Sequence, residues 1–280
     1  MKTISCKKIE SVVYELSLKA NIFLPDDIKE KLNEASYNEE SEYAQFILSK
    51  LKGNYESAEN KFIPVCQDTG MVVVFLSIGQ DIHIIDGDLY EAIQRGVERA
   101  YTKNPLRLSV VEDPLFRKNT NTNTPAIIHT TLTKGENLEI LVCPKGMGSE
   151  NKSRIKMFNP SATIDDISDF VVETVKLAGA SACPPMVIGI GIGGNFEYSA
   201  FLAKKALCRN INIRNEDKRY AKAEKDILNN VNALNIGPSG FGGKTTAIAV
   251  NIEKFPTHIA GLPVAVNIGC HATRHAGILL

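Results

Sequence analysis

No apolar run in this 280-residue sequence is longer than a single buried strand. Met71 to Ile78 is among the longest, and a membrane-crossing helix needs roughly 18 residues or more. The chain instead alternates two periods. Helical spacing appears in Ile9, Val12, Val13 and Leu16, in Ala44, Ile47, Leu48 and Leu51, and in Leu89, Ala92, Ile93, Val97 and Ala100. Strand-length runs lie at Met71–Ile78, Ala126–Leu132, Leu138–Val142, Val187–Ile190, 246–252 and 263–268. Lys134-Gly135-Glu136 predicts a hairpin between the second and third of these. Further helices are expected over Thr163–Leu177, 196–208 and 216–234, the first with Thr163 and Asp166 spaced as a capping box. Residues 105–125 read as a polar loop. The expected fold is mixed α/β, one domain over 1–280, with a helical N-terminal portion over 1–60 and a mixed sheet.

Thirty-two basic and 32 acidic residues balance, with 44% hydrophobic and 23% charged residues. That excludes a disordered chain and argues against a general nucleic-acid binder, which needs a basic face. The start, MKTISCKKIESVV, has no apolar stretch of signal-peptide length, so a cytoplasmic protein (or an organellar one after transit-peptide removal) is expected. No partner of nucleic acid or membrane type is implied.

Six cysteines occupy positions 6, 66, 143, 183, 208 and 270, with no CxxC pair. Cys6, Cys143 and Cys208 sit in apolar helical or strand contexts and read as small buried hydrophobes. Cys66 in PVCQDTG, Cys183 in ASACPP and Cys270 in NIGCHAT stand beside Pro, Gly and small polar residues, where loops approach ligands. Their separations, 117 and 87 residues, mean that only folding could unite them.

Three motifs invite other chemistries. Gly189-Ile190-Gly191-Ile192-Gly193-Gly194 satisfies GxGxxG, but the acidic residue expected after a second strand is missing, which leaves a tight turn or an anion loop. Gly237 to Thr245 resembles a phosphate-binding loop with its first glycine displaced by one, so either anion binding by its amides and Lys244 or close packing at the glycines is expected there. Cys270, His271 and His275 would suit zinc poorly, with Arg274 between them and no fourth ligand.

Taken together, CQDTG, CPKGMGSENKS, ACPPMVIGIGIGGNFEYSAFLAKKAL and NIGPSGFGGKTTAIAVNIEKFPTHIAGLPVAVNIGCHATRHA resemble the α subunit, or N-terminal catalytic half, of class I fumarases and L(+)-tartrate dehydratases, which are iron–sulfur hydro-lyases. The resemblance runs from about Glu10 to about Gly277. It implies a [4Fe–4S] cluster held by Cys66, Cys183 and Cys270, with one iron left open as a Lewis acid. It implies Asp68 as a proton-transfer group, Gln67 and Arg107 as substrate contacts, and Gly146 as a point of close backbone approach. His258 matches a histidine that the family brings from a neighbouring protomer, which implies a homodimer of such chains. Lys145 and Lys244 are lesser anion contacts. The substrate is expected to be a small dicarboxylate. CPKGMGSENKS favours fumarate and malate over the alternative, L(+)-tartrate. Single-chain members continue into a second domain that this sequence does not contain, so a separate β subunit is expected. A cluster-binding protein without catalysis is the remaining alternative; Cys66, Cys183, Cys270, Asp68 and Arg107 together argue against it.

Overall fold

A computed structural model of the chain describes residues 2–280. They form two compact units. The first runs to Pro25, resumes over Tyr55–Met147 and ends with Arg274–Leu280; the second comprises Asp26–Asn54 and Gly148–Thr273. The mixed α/β class expected from the two periods is what forms.

In the first unit, β1 (Lys2–Ser5) leads into α1 (Cys6–Ile22), whose N-terminus is capped by the Ser5 hydroxyl accepting from the Lys8 N–H at 3.3 Å. α2 (Asp26–Asn38) belongs to the second unit, and α3 (Glu42–Lys61) starts in the second and ends in the first. β2 (Met71–Gly79), β3 (Ile82–Ile85), α4 (Leu89–Lys103), β4 (Ile127–Thr133) and β5 (Leu138–Lys145) follow. The α4 N-terminus is capped by Asp88, which accepts from Glu91 N–H at 2.9 Å. Its stripe of Ile93, Val97 and Ala100 packs with the α1 stripe against Val72, Val74, Leu76, Ile140 and Val142 of the sheet, and Ala92 is buried beside it in the helix. This is the core that the helical spacing predicts. β1 pairs with β3, and the second sheet of the unit has the order β10-β5-β2-β4 with β10 (Ala276–Leu279) at one edge.

The hairpin expected around Gly135 does not pair its own strands. β2 lies between them, parallel to β4 and antiparallel to β5. β2 has both faces buried over most of its length, so a central position stabilises it more than an edge would. Its end is stitched to the 134–137 turn: Gly79 N–H donates to Asn137 O and Asp81 N–H to Gly135 O, at 2.9 and 3.1 Å.

In the second unit, α5 (Met147–Glu150) begins at the boundary residue. β6 (Arg154–Phe158), α6 (Ile164–Ala178), β7 (Met186–Gly194), α7 (Phe196–Ala206), α8 (Lys218–Asn232), β8 (Ala247–Thr257) and β9 (Leu262–Gly269) follow, and the sheet order is β6-β9-β7-β8. The capping box at Thr163 and Asp166 is complete. The GxGxxG segment is neither a turn nor an anion loop at its first two glycines. β7 continues through it, and α7 lies directly on the strand. A Cβ on Gly189 would stand 2.2 Å from Ala203 O, and one on Gly191 would stand 2.0 Å from Ser199 O. The glycines are there so that a helix backbone can touch a strand backbone. Gly191→Ala is therefore expected to lower stability by about 2–3 kcal/mol, measurable by urea unfolding, because backbone rather than a flexible side chain must move.

The displaced phosphate-loop motif has an internal anion. Glu39, 3% exposed, accepts from the N–H groups of Lys244 and Thr245, and the Lys244 ammonium pairs with Glu40. The expected anion-binding chemistry is present, but a carboxylate of the same unit occupies it. Among the described residues no helix is long and apolar enough to cross a membrane.

Candidate active site

The CQDTG segment is the irregular chain between α3 and β2, and the first unit holds it at Asp68, Thr69 and Gly70. Val65 N–H donates to Asn21 O at 2.9 Å. The Tyr101 hydroxyl donates to Thr69 O at 2.6 Å and accepts from the Asn21 side-chain amide at 3.2 Å. Burial pushes the Tyr101 phenol up to about 12, so it remains a hydrogen-bond donor throughout the physiological range. Asn123, fully buried, donates to Gly70 O and accepts from Ser109 N–H. Gly70 has φ +77°, and a Cβ there would meet the Lys145 backbone at 2.7 Å, so the loop and the end of β5 are in backbone contact. Tyr101→Phe leaves Thr69 O buried without its donor. A loss of about 1–3 kcal/mol in thermal or urea unfolding is expected.

Asp68 is held through its side chain. Oδ1 accepts from Gly70 N–H at 3.0 Å, and Oδ2 accepts from Met147 N–H at 2.8 Å. The first bond is the turn contact that an Asp before Thr-Gly makes anyway. The second comes from 79 residues away and fixes the carboxylate's direction. Gly146 lies against it: a Cβ at that position would stand 3.0 Å from Oδ2. A side chain there would crowd the carboxylate, so Gly146 lies in close contact with Asp68.

Arg107 reaches the same loop through its main chain. Its N–H donates to Thr69 Oγ1 at 2.9 Å, and the same hydroxyl donates back to Arg107 O at 3.1 Å. The Arg107 and Gln67 side chains are exposed. At Arg107 a fixed backbone carries an exposed guanidinium, the arrangement a substrate contact requires. Asp68, Gln67, Arg107, Gly146 and Cys66 are thus all brought together by the first unit. Cys66 is partly exposed on this loop. Lys145, by contrast, is 6% exposed and its ammonium donates to Gly146 O.

The second unit pairs two more of the predicted residues. Val187 of β7 stands opposite Gly269 of β9, and the chain reaches Cys270 one residue later. Beyond that end, His271 N–H donates to Cys183 O at 3.1 Å, so Cys183 and Cys270 share a strand end. Cys183 is exposed and Cys270 partly exposed. Cys183 has φ +52° and ψ +64°, a left-handed conformation that a residue with a Cβ adopts at a cost. Cys6 and Cys143 are buried, as their contexts predict, and no disulfide joins any of the six. Cys208 is partly exposed, just beyond the end of α7.

The exposed thiols of the strand end suit a soft, thiolate-binding iron–sulfur group. Among the described residues no set of three or more His, Cys, Asp and Glu side chains converges closely enough to hold a metal ion. The pair Cys183–Cys270 is therefore what the fold assembles within one unit, while Cys66 belongs to the other.

His258 lies at the far end of the same sheet. Thr257 pairs with Gly194, at the opposite end of β7 from Met186. Eight residue rises of about 3.3 Å put roughly 26 Å between the His258 end and the cysteine end. His258 is exposed, and its Nδ1 accepts from Ala260 N–H at 3.1 Å. It does not join Cys183 and Cys270 within its own chain.

Sequence reasoning missed the residues that hold the loop: Tyr101, Asn123 and Arg274. Arg274 is 3% exposed and donates through Nη2 to Asp68 O at 2.6 Å. The available signal was an arginine followed by His275 and then the closing apolar residues Ala276–Leu280.

A family model described as fumarate hydratase (Fumerase) matches residues 10–278. A chain of Methanocaldococcus jannaschii that carries the provisional name L(+)-tartrate dehydratase subunit alpha is 44% identical over 275 residues, covering 96% of each chain. The chain named L(+)-tartrate dehydratase subunit alpha in Escherichia coli (strain K12) is 30% identical over 276 residues, covering 98% of this chain and 91% of the relative.

Proposed function

This chain belongs to the fumarate hydratase (Fumerase) family, and on that premise we propose that it is the α subunit of a two-subunit hydro-lyase that dehydrates L(+)-tartrate. The observation that carries the chemistry is the Asp68 carboxylate, locked by two N–H donors beside the exposed Arg107. Dehydrating a hydroxy-dicarboxylate requires a positioned proton carrier and a cation for a carboxylate that gains charge as the carbon proton leaves. Asp68 carries the proton of the departing hydroxyl. Arg107 grips one substrate carboxylate, a task that its planar fork of donors suits. Gln67 orients the substrate through its amide, and Gly146 keeps the face of Asp68 open.

Cys66, Cys183 and Cys270 are the thiolates that would hold a [4Fe–4S] cluster. When bound, that group supplies an open Lewis-acid iron for the hydroxyl. His258, remote from the thiol pair of its own chain, serves a second copy in a homodimer. The base for the carbon proton belongs to a separate β subunit, in keeping with the relatives' names as α subunits.

The choice of substrate departs from the expectation of fumarate and malate. The names of the relatives support tartrate better, and only part of CPKGMGSENKS lies at Asp68, through Gly146 and Met147. In GSENKS, Ser149 is buried and Glu150 pairs with Lys204 and accepts from Asn267. Ser153 Oγ accepts from Asn267 at 2.7 Å and from Ile268 N–H at 3.1 Å. These residues brace the strand that leads to Cys270. The family model's own description keeps fumarate as the second reading.

The test is anaerobic reconstitution with and without the partner chain, assayed on both tartrate enantiomers, malate and fumarate. L(+)-tartrate turned over fastest, and only by the two-chain assembly, supports the proposal. Turnover of malate and fumarate alone shifts it to the second reading. Full activity of the single chain refutes the need for a β subunit.

A further inference from the structure

Arg274 has no part in the roles above, yet it is a buried cation attached to the proton carrier. A guanidinium is rarely taken out of water unless it is hydrogen-bonded and opposed by negative charge. Here Nη2 donates to the main-chain oxygen of Asp68 at 2.6 Å. All three oxygens of Asp68 thus have a donor: the carbonyl from Arg274, Oδ1 from Gly70 and Oδ2 from Met147. The side-chain bonds orient the carboxylate relative to the backbone. Only the Arg274 bond acts on the peptide plane between Asp68 and Thr69, from which that side chain springs. Tyr101 holds the next carbonyl along, at Thr69.

We infer that Arg274 is the positioning residue of Asp68: its guanidinium fixes the Asp68–Thr69 peptide plane and so the direction in which the carboxylate meets the substrate. The inference rests on the reading of Asp68 as the proton-transfer group. It makes a prediction that simple packing does not. A positioning role acts on turnover and on the two amides that depend on the Asp68 carboxylate, whereas a packing role loosens the whole strand pair. Lysine does not replace a guanidinium here, because a flexible ammonium defines no plane.

The test uses the two-chain assembly with Arg274→Ala and Arg274→Lys. Arg274→Ala is expected to lower kcat about 30-fold, since small misplacements of a catalytic group have effects of that order. KM should stay within about threefold, because the substrate contacts are elsewhere. Added guanidinium ion should restore at least about a third of the lost rate, and ethylammonium should not. Hydrogen exchange should quicken at least about tenfold at the Gly70 and Met147 amides and stay unchanged along β2 and β5. Unchanged kcat in a folded variant overturns the inference. So does a loss without guanidinium rescue accompanied by faster exchange throughout β2 and β5. Should Arg274→Ala fail to fold, Arg274→Lys decides: a fall of about tenfold in kcat with the same two amides quickened supports positioning, and full activity refutes it. If the unaltered assembly turns over no tartrate, malate or fumarate, the hydro-lyase reading is what fails. The exchange pattern at Gly70 and Met147 then judges Arg274 on its own.

Discussion

Asp68→Asn is expected to lower kcat of the assembled protein by about two to four orders of magnitude, the usual contribution of a positioned acid or base. The substitution preserves shape and removes the transferable proton. It also has a cost that the geometry defines. Both carboxylate oxygens of Asp68 accept backbone N–H groups, from Gly70 and Met147. An amide has one acceptor, so its NH2 must face one of these donors. A stability loss of about 1–3 kcal/mol should accompany the loss of rate. Asp68→Glu separates the two effects: it keeps the charge and the proton but moves the carboxylate by one methylene. Loss of rate with both substitutions, measured against urea stability, identifies the group as a proton carrier held in place. Full activity of Asp68→Asn would remove Asp68 from the mechanism.

The carboxylate's surroundings show where sequence reading succeeds and where it stops. Local rules were enough for α1, α4 and α6, because each carries its own apolar stripe and its own cap at Ser5, Asp88 or Thr163. They were enough for Cys6 and Cys143, which lie in apolar runs and are buried. They also set Cys66, Cys183 and Cys270 apart from the three others, and these three lie in irregular chain outside the helices and strands. What they could not supply was pairing over distance. β2 enters between β4 and β5 because its buried length makes it central, and nothing in the 134–136 turn records that. Glu39 fills the Lys244 loop from 205 residues away. Asn123 and Tyr101 hold a loop to which no motif connects them. A buried polar side chain is chosen by a partner that only the fold reveals. CPKGMGSENKS divides along the same line: Met147 N–H meets Asp68, while Glu150 and Ser153 meet Lys204, Asn267 and Ile268, partners that only the fold reveals.

Cys183 carries the second large effect, and here function and stability point in opposite directions. It is held at φ +52° between a 3-10 turn and two buried prolines, with its thiol side chain exposed. A left-handed residue with a Cβ gives up about 1–2 kcal/mol relative to its preferred conformations. Glycine avoids that strain but gains roughly 0.4–1 kcal/mol of freedom in the unfolded chain. Cys183→Gly should therefore raise the stability of the cluster-free chain by about 0.5–1 kcal/mol, the difference between these two terms. Cys183→Ser, with the same backbone demand, should leave that stability unchanged. Both lack the thiolate, so both should lose the iron and sulfide bound on anaerobic reconstitution and, in the assembly, essentially all turnover. A strained conformation kept at a residue whose replacement by glycine is stabilising points to selection for the side chain. Iron and sulfide analysis beside urea unfolding measures both halves. Full cluster content in Cys183→Ser would exclude Cys183 as a ligand, and a destabilised Cys183→Gly would show that the left-handed turn has a structural purpose of its own.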